Sequence, residues 1–163
     1  MALEKYRLET VLTIRAAAKT EAARQIAMRY EKLARAEEEL NRRQMSLQDC
    51  FERQNRAQTA LHEDLTIVSQ AKKILAHKNY LRDLRSLEAE LQTAVEQQKQ
   101  TVAKAEAEVE AAREKLIEAA RELKAIETHK MKWQSAENAA AGHREQKLSD
   151  EIGSILHGIR EKS

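Results

Sequence analysis

Apolar residues recur every seven positions along most of this chain. One ladder runs Ile26, Leu33, Leu40, Leu47, then Gln54, Leu61 and Val68, and a second runs Val95, Val102, Val109, Leu116 and Leu123. Leu8, Val11, Leu12, Ala18 and Ala22 lead into the first. Heptad ladders of this kind place one apolar seam along an α-helix. The companion row of the first helix is expected at Tyr30, Glu37, Gln44, Phe51, Gln58 and Leu65, and that of the second at Gln98, Ala105, Ala112, Ala119, Ile126 and Trp133. With Glu37, Gln44, Gln54 and Gln58 at seam positions, the first helix reads as partly wet and marginal, so that leucine at 44 and 58 should raise its melting temperature.

Two ladders in one chain, with room for a single turn between them, predict an all-α fold. The expected architecture is an antiparallel two-helix coiled-coil hairpin with an overhanging C-terminal helical tail. It forms one domain over 1–163, with helix 1 at about 3–63, a turn at about 64–69, helix 2 at about 70–141 and an amphipathic tail at 142–163. The turn is placed by the end of the ladder at Val68 and by the β-branched run Thr66, Ile67 and Val68, which has lower helix propensity. Seam partners on the two helices then have residue numbers summing to roughly 134, the register set by a turn centred near residue 67. A two-stranded dimer of unbroken helices is the competing architecture. Residues beyond Trp133 outrun helix 1. Gly142 is a possible hinge there, and Ser149 with Asp150 and Glu151 could restart a helix. Leu148, Ile152, Ile155, Leu156 and Ile159 fall on one face of it, a pattern suited to docking in another protein's groove.

Composition supports the helical reading. The first 141 residues hold no glycine and the chain has no proline, which removes most ways of building turns or a sheet. Aromatics are only 3% and charged residues 34%, the balance of a long helix and not of a globular core. A net charge of +2 is too small to imply nucleic acid or an anionic membrane as the main partner. Cys50 is the single cysteine, which suits a reducing compartment. Neither a signal peptide nor a run of roughly 20 apolar residues is legible, so a cytoplasmic soluble protein without direct membrane insertion is expected.

Catalytic chemistry is not visible. None of His62, His77, His129, His143 and His157 has an acid three positions before it, which excludes the bundle di-iron pattern. No zinc-ligand spacing and no Gly-rich phosphate loop occur, so no catalytic residue, metal or cofactor is assigned. Lys72, Lys73, Lys78, Arg82 and Arg85, with Tyr80 among them, form the best basic cluster, diluted by Asp83. Apolar surplus is the stronger signal. It gathers at Tyr6, Val11, Ile14, Met131 and Trp133, and again at Ile67, Val68, Ile74, Leu75, Tyr80 and Leu81, as if each end of a connector were gripped by a partner.

The opening run Tyr6-x-Leu8-Glu9-x-Val11-Leu12-x-Ile14-Arg15 and the distal His129-Lys130-x-x-Trp133, Asp150-Glu151-x-Gly153 and His157-x-x-Arg160 carry a family likeness. In these motifs the chain resembles the YscO stalk proteins of type III secretion injectisomes, relatives of flagellar FliJ. The resemblance implies a hairpin similar to the coiled coil of the rotary ATP synthase γ subunit. It also implies a non-enzymatic central stalk, cytoplasmic and peripheral to the inner-membrane secretion apparatus. The end holding both termini would enter the secretion ATPase ring, the turn end would meet the cytoplasmic domain of the export gate, and secretion chaperones would bind as well. On that basis Tyr6, Leu8, Leu12, Ile14, Met131 and Trp133 are expected at the ATPase-proximal end, and Phe51, Ile74, Tyr80 and Leu84 at the gate-proximal end. The alternative is a coiled-coil secretion or assembly chaperone that clasps other proteins along its shaft, and a third possibility is a purely structural coiled-coil dimer.

Overall fold

A computed structural model describes residues 5–66 and 71–161. Two α-helices account for nearly all of them: α1 at Glu9–Thr66 and α2 at Ala71–Arg160. The described residues include no strand. Packing divides the helices into two units, Gln25–Arg113 on one hand and Met1–Arg24 with Glu114–Ser163 on the other. In each unit a stretch of α1 lies against an antiparallel stretch of α2, so the fold is a helical hairpin.

In Gln25–Arg113 the predicted α2 seam holds. Val95, Gln98, Ala105, Val109 and Ala112 are buried, with Val102 half-buried between them. On α1 the ladder Ile26, Leu33, Leu40, Leu47, Gln54 and Leu61 also faces inward, but its companion row stands one residue earlier than expected. Ala36, Cys50 and Ala57 are buried, with Arg29, Arg43 and Asp64 half-buried at the same spacing. Tyr30, Glu37, Gln44, Gln58 and Leu65 are exposed, and Phe51 is half-buried. The reason is steric. Small side chains at 36, 50 and 57 let the helix axes approach, whereas Tyr, Phe and Glu on that row would hold them apart. Leucine at 44 or 58 would therefore add exposed apolar surface and no seam contact. Of the four polar seam residues expected, only Gln54 is inside.

The seam is satisfied instead of wet. Gln54 Nε2 donates to the Leu84 carbonyl at 3.3 Å and to Glu88 Oε2 at 2.7 Å. Gln98 Nε2 donates to the Ala36 carbonyl at 2.9 Å, and the Cys50 thiol to that of Leu84 at 3.5 Å. The pairs 36–98 and 50–84 both sum to 134, the register expected from the turn. Among the described residues no buried side-chain nitrogen or oxygen lacks a partner, as a low-dielectric seam requires. Cys50, Ala57, Leu81 and Leu84 form the tightest apolar cluster, with Leu61 and Leu91 against it.

Helix boundaries differ from expectation in three places. α1 begins at Glu9 and not near residue 3, because Tyr6 leaves the helical path to pack on α2. The Glu9 N–H then reaches the Tyr6 carbonyl at 3.2 Å. α1 also continues through Asp64 and Leu65 to Thr66, and Asp64 accepts from His77 Nε2 at 2.7 Å. The β-branched pair Ile67 and Val68, and Ser69, lie outside the described residues. Finally, α2 is unbroken through Gly142 and Ser149, so neither the hinge nor the restart exists. No glycine has a positive φ, and nothing competes with the helix for the isolated glycines.

Across the helices Glu108 accepts from Arg29 Nη1 and Lys32 Nζ, each at 2.8 Å. The Lys32 ammonium, seconded by Arg29, holds the Glu108 carboxyl below the usual carboxylate range. A carboxyl depressed on folding stabilises above its unfolded pKa, and that contribution is lost as pH falls through the folded value. In wild type the melting temperature should therefore drop on acidification across the carboxylate range, and Glu108→Gln should show a slightly lower Tm at neutral pH with a shallower acid limb. Identical acid limbs in the two proteins, followed by circular dichroism, would remove this assignment.

Candidate protein-interaction site

The unit made of Met1–Arg24 with Glu114–Ser163 combines a packed stretch with a long exposed run of α2 beyond residue 141. Its closed part is pinned by an aromatic clamp. Tyr6 is buried against His129 and Trp133, with ring centroids 5.7 and 5.2 Å away in tilted geometry. The Tyr6 hydroxyl and His129 Nδ1 share a hydrogen bond of 2.6 Å. Lys130 Nζ pairs with Glu9 at 2.8 Å and lies 6.0 Å from the centre of the Tyr6 ring. Arg15 pairs with Glu122 farther along. Edge-tilted aromatic contacts of this kind add about 1 kcal/mol to the area they bury.

Beyond the clamp α2 continues to Arg160. Leu148, Ile152, Ile155, Leu156 and Ile159 are each 53–62% exposed along one face of that helix. A built Cβ on Gly142, Gly153 or Gly158 would meet nothing within 4 Å. An exposed apolar stripe of this kind is a surface suited to protein contact. Of the residues expected at the ATPase-proximal end, Ile14 and Met131 are 59% and 70% exposed, and Leu8, Leu12 and Trp133 are half-buried. Tyr6 belongs to the interior.

In Gln25–Arg113 the gate-proximal set is split. Tyr80 is exposed, and Phe51 and Ile74 are half-buried. Leu84, however, is 4% exposed beneath Cys50 and Gln54, and Leu81 is buried beside it. Both belong to the seam and present nothing to a partner. Their inward position follows from the shifted α1 row, which brings the small Cys50 and Ala57 over them. Among the described residues there, Leu65 and Leu75 are exposed aliphatics near the helix ends.

The remaining chemistry is quiet. Among the described residues no three or more histidines, cysteines or acids come close enough to hold a metal ion. No helix among them is long and apolar enough to cross a membrane. A shallow recess of about 420 Å³ beside Cys50 is lined by Met45, Ser46, Asp49, Arg53, Leu87 and Leu91, a mixture without a nucleophile–base pair.

No curated protein matches the chain. A solved structure described as a YscO homolog, CT670 from Chlamydia trachomatis, superposes with a TM-score of 0.83 over 100% of this chain and 99% of that one, at 24% sequence identity. This similarity carries the hairpin fold. The sequence profile of the YscO-like family, described as YscO-like protein, matches residues 3–163. With the profile spanning nearly every residue and the same paired helices beneath it, the chain belongs to the YscO-like family and is a type III secretion-related protein.

Proposed function

We propose that this protein is a non-enzymatic stalk or adaptor that links the secretion ATPase ring to the cytoplasmic domain of the export gate and also binds secretion chaperones. The observation that carries the reading is the tail, where α2 goes on beyond the Tyr6–Trp133 clamp with an exposed apolar stripe. An amphipathic helix of that kind fits a groove or ring lumen in a larger assembly. In this reading the exposed Ile14 and Met131 also meet the ATPase, and Tyr80, Ile74 and Phe51 serve the gate. Such a protein works in the cytoplasm, peripheral to the inner-membrane apparatus. The faces between the ends are dressed with ion pairs such as Arg35–Glu31 and Arg53–Asp49, which suits a solvated shaft better than a chaperone's clasping surface.

Co-purification with the cognate type III ATPase is expected, together with stimulated ATP hydrolysis. A chain ending at Ala141 should keep its helical hairpin by circular dichroism and lose at least about tenfold in ATPase affinity, the scale of removing an apolar docking stripe. Full binding by the shortened chain, or binding that needs only the ion-paired faces, would refute the tail-based adaptor.

A further inference from the structure

The first turns of α2 break the electrostatic habit of the rest of the molecule. Exposed cations elsewhere commonly have an acid one turn away, as in Arg24–Glu21, Arg35–Glu31, Arg53–Asp49, Arg56–Glu52 and Lys99–Glu96. Lys72, Lys78, Arg82 and Arg85 fall with Leu75 on one exposed face of α2 at steps of three, three, four and three. Lys72, Lys78 and Arg82 have no acid three or four positions away on either side. Arg85 has only Glu88, whose oxygens already accept from Gln54 and Gln92. The nearest acid to Arg82 is its neighbour Asp83 at 3.4 Å, a fully solvated pair of little strength.

This arrangement costs stability. Lys78–Arg82 and Arg82–Arg85 are like charges one turn apart. Lys72 and Lys73 stand in the first turn of α2, which holds no acid, at the positive end of its macrodipole. Leu75, 59% exposed, sits between Lys72 and Lys78 in the basic stripe. An arrangement that is unfavourable in the free protein becomes favourable when negative charge is laid along it.

We infer that the face Lys72–Leu75–Lys78–Arg82–Arg85 docks an acidic, amphipathic helical segment of a protein partner, with carboxylates spaced one turn apart around an apolar residue that covers Leu75. The stripe is about 20 Å long at 1.5 Å per residue, the length of some four helical turns. A protein fits better than nucleic acid or lipid for two reasons. The stripe carries an aliphatic residue between Lys72 and Lys78, and the one aromatic nearby, Tyr80, lies off its three-and-four spacing and is a single ring where base stacking needs several. Four cations on a chain of net charge +2 also give too weak a field for a polyanion. The inference rests on the adaptor reading only for which protein supplies the segment.

The test is fluorescence anisotropy with the full chain and a labelled, capped helical peptide bearing glutamates at every third or fourth position around one leucine. Saturable, salt-sensitive binding is expected. Changing Lys72, Lys78, Arg82 and Arg85 together to Gln should weaken it about tenfold, and Leu75→Ser should weaken it severalfold. The same number of changes at Lys115, Arg121, Lys124 and Lys132 should leave it unaltered. Because the stripe is self-repelling, the quadruple variant should melt no lower than wild type. Equal peptide affinity in the quadruple variant overturns the inference, as does tighter binding to single-stranded RNA or phosphatidylserine vesicles than to the peptide. A gate domain that binds wild type and quadruple variant alike would sink the stripe and leave the adaptor standing. Peptide binding without any gate or ATPase association would do the reverse.

Discussion

Leu84→Ala should lower the stability of the hairpin by about 3 kcal/mol, the middle of the range for truncating a buried leucine. Leu84 is 4% exposed, is enclosed with Cys50, Ala57 and Leu81, and its carbonyl receives both the Cys50 thiol and the Gln54 amide. A two-helix seam has few neighbours able to move into the space, and the small residues opposite cannot grow to fill it. For a chain of this size the loss corresponds to roughly 10 °C in melting temperature. Leu75→Ala, the same deletion on the solvent face, should stay within about 0.5 kcal/mol of wild type. Thermal melts followed at 222 nm decide the matter. Equal shifts for the two variants would show that the cluster around Cys50 is not where this unit is held together.

Gln54→Glu should be nearly as damaging, but only when the new group is ionised. The Gln54 amide donates to the Leu84 carbonyl and the Glu88 carboxylate, with the Cys50 sulfur a longer 3.9 Å away, and is itself 8% exposed. A carboxylate there has no donor to offer and stands beside another negative charge, at a cost of about 3 kcal/mol. The introduced acid binds its proton more tightly in the folded state than in the unfolded one. Stability is therefore lost above its raised folded pKa and regained as pH falls toward the ordinary carboxylate value. Wild type should be flat over that window and lose stability only at lower pH, because the Glu108 carboxyl, lowered by Lys32 and Arg29, stays ionised until the pH falls below the ordinary carboxylate value. Gln54→Leu removes the charge question and should cost about 1 kcal/mol or less, since both acceptors keep other partners or water. Urea midpoints at neutral and mildly acidic pH measure all three. A Gln54→Glu midpoint that is flat with pH would mean that the side chain swings out of the seam.

Much of this was legible in the residues. Heptad ladders and the missing glycines declared two long antiparallel helices, and the α2 seam from Val95 to Trp133 was placed residue by residue. The α1 companion row was not. A ladder at 26, 33, 40 and 47 accepts a second row three or four positions on, and large residues at 30, 51 and 65 drew the choice to four. Packing chose three, because alanine and cysteine give little hydrophobic signal yet permit the closest approach of backbones. The start of α1 was lost for a similar reason. Helix propensity favoured a start near residue 3, and among the described residues 5–8, outside the helix, one buried tyrosine outweighed it. Gly142 looked like a hinge from composition, but an isolated glycine costs a helix only about 1 kcal/mol, and α2 had no competing structure to enter. The 3–4 spacing of the tail stripe was legible as one helix face, and its residues are exposed there.

The two buried glutamines both reach main chain on the opposite helix: Gln54 the carbonyl of Leu84, Gln98 that of Ala36. A carbonyl is supplied by every amino acid. The receiving positions are thus under no demand to change in step with the glutamines, and only size restrains them. Genetic drift can proceed on one helix without a compensating event on the other, so a lineage of such hairpins should keep its shape long after its letters have diverged, and covariation between facing positions should be faint.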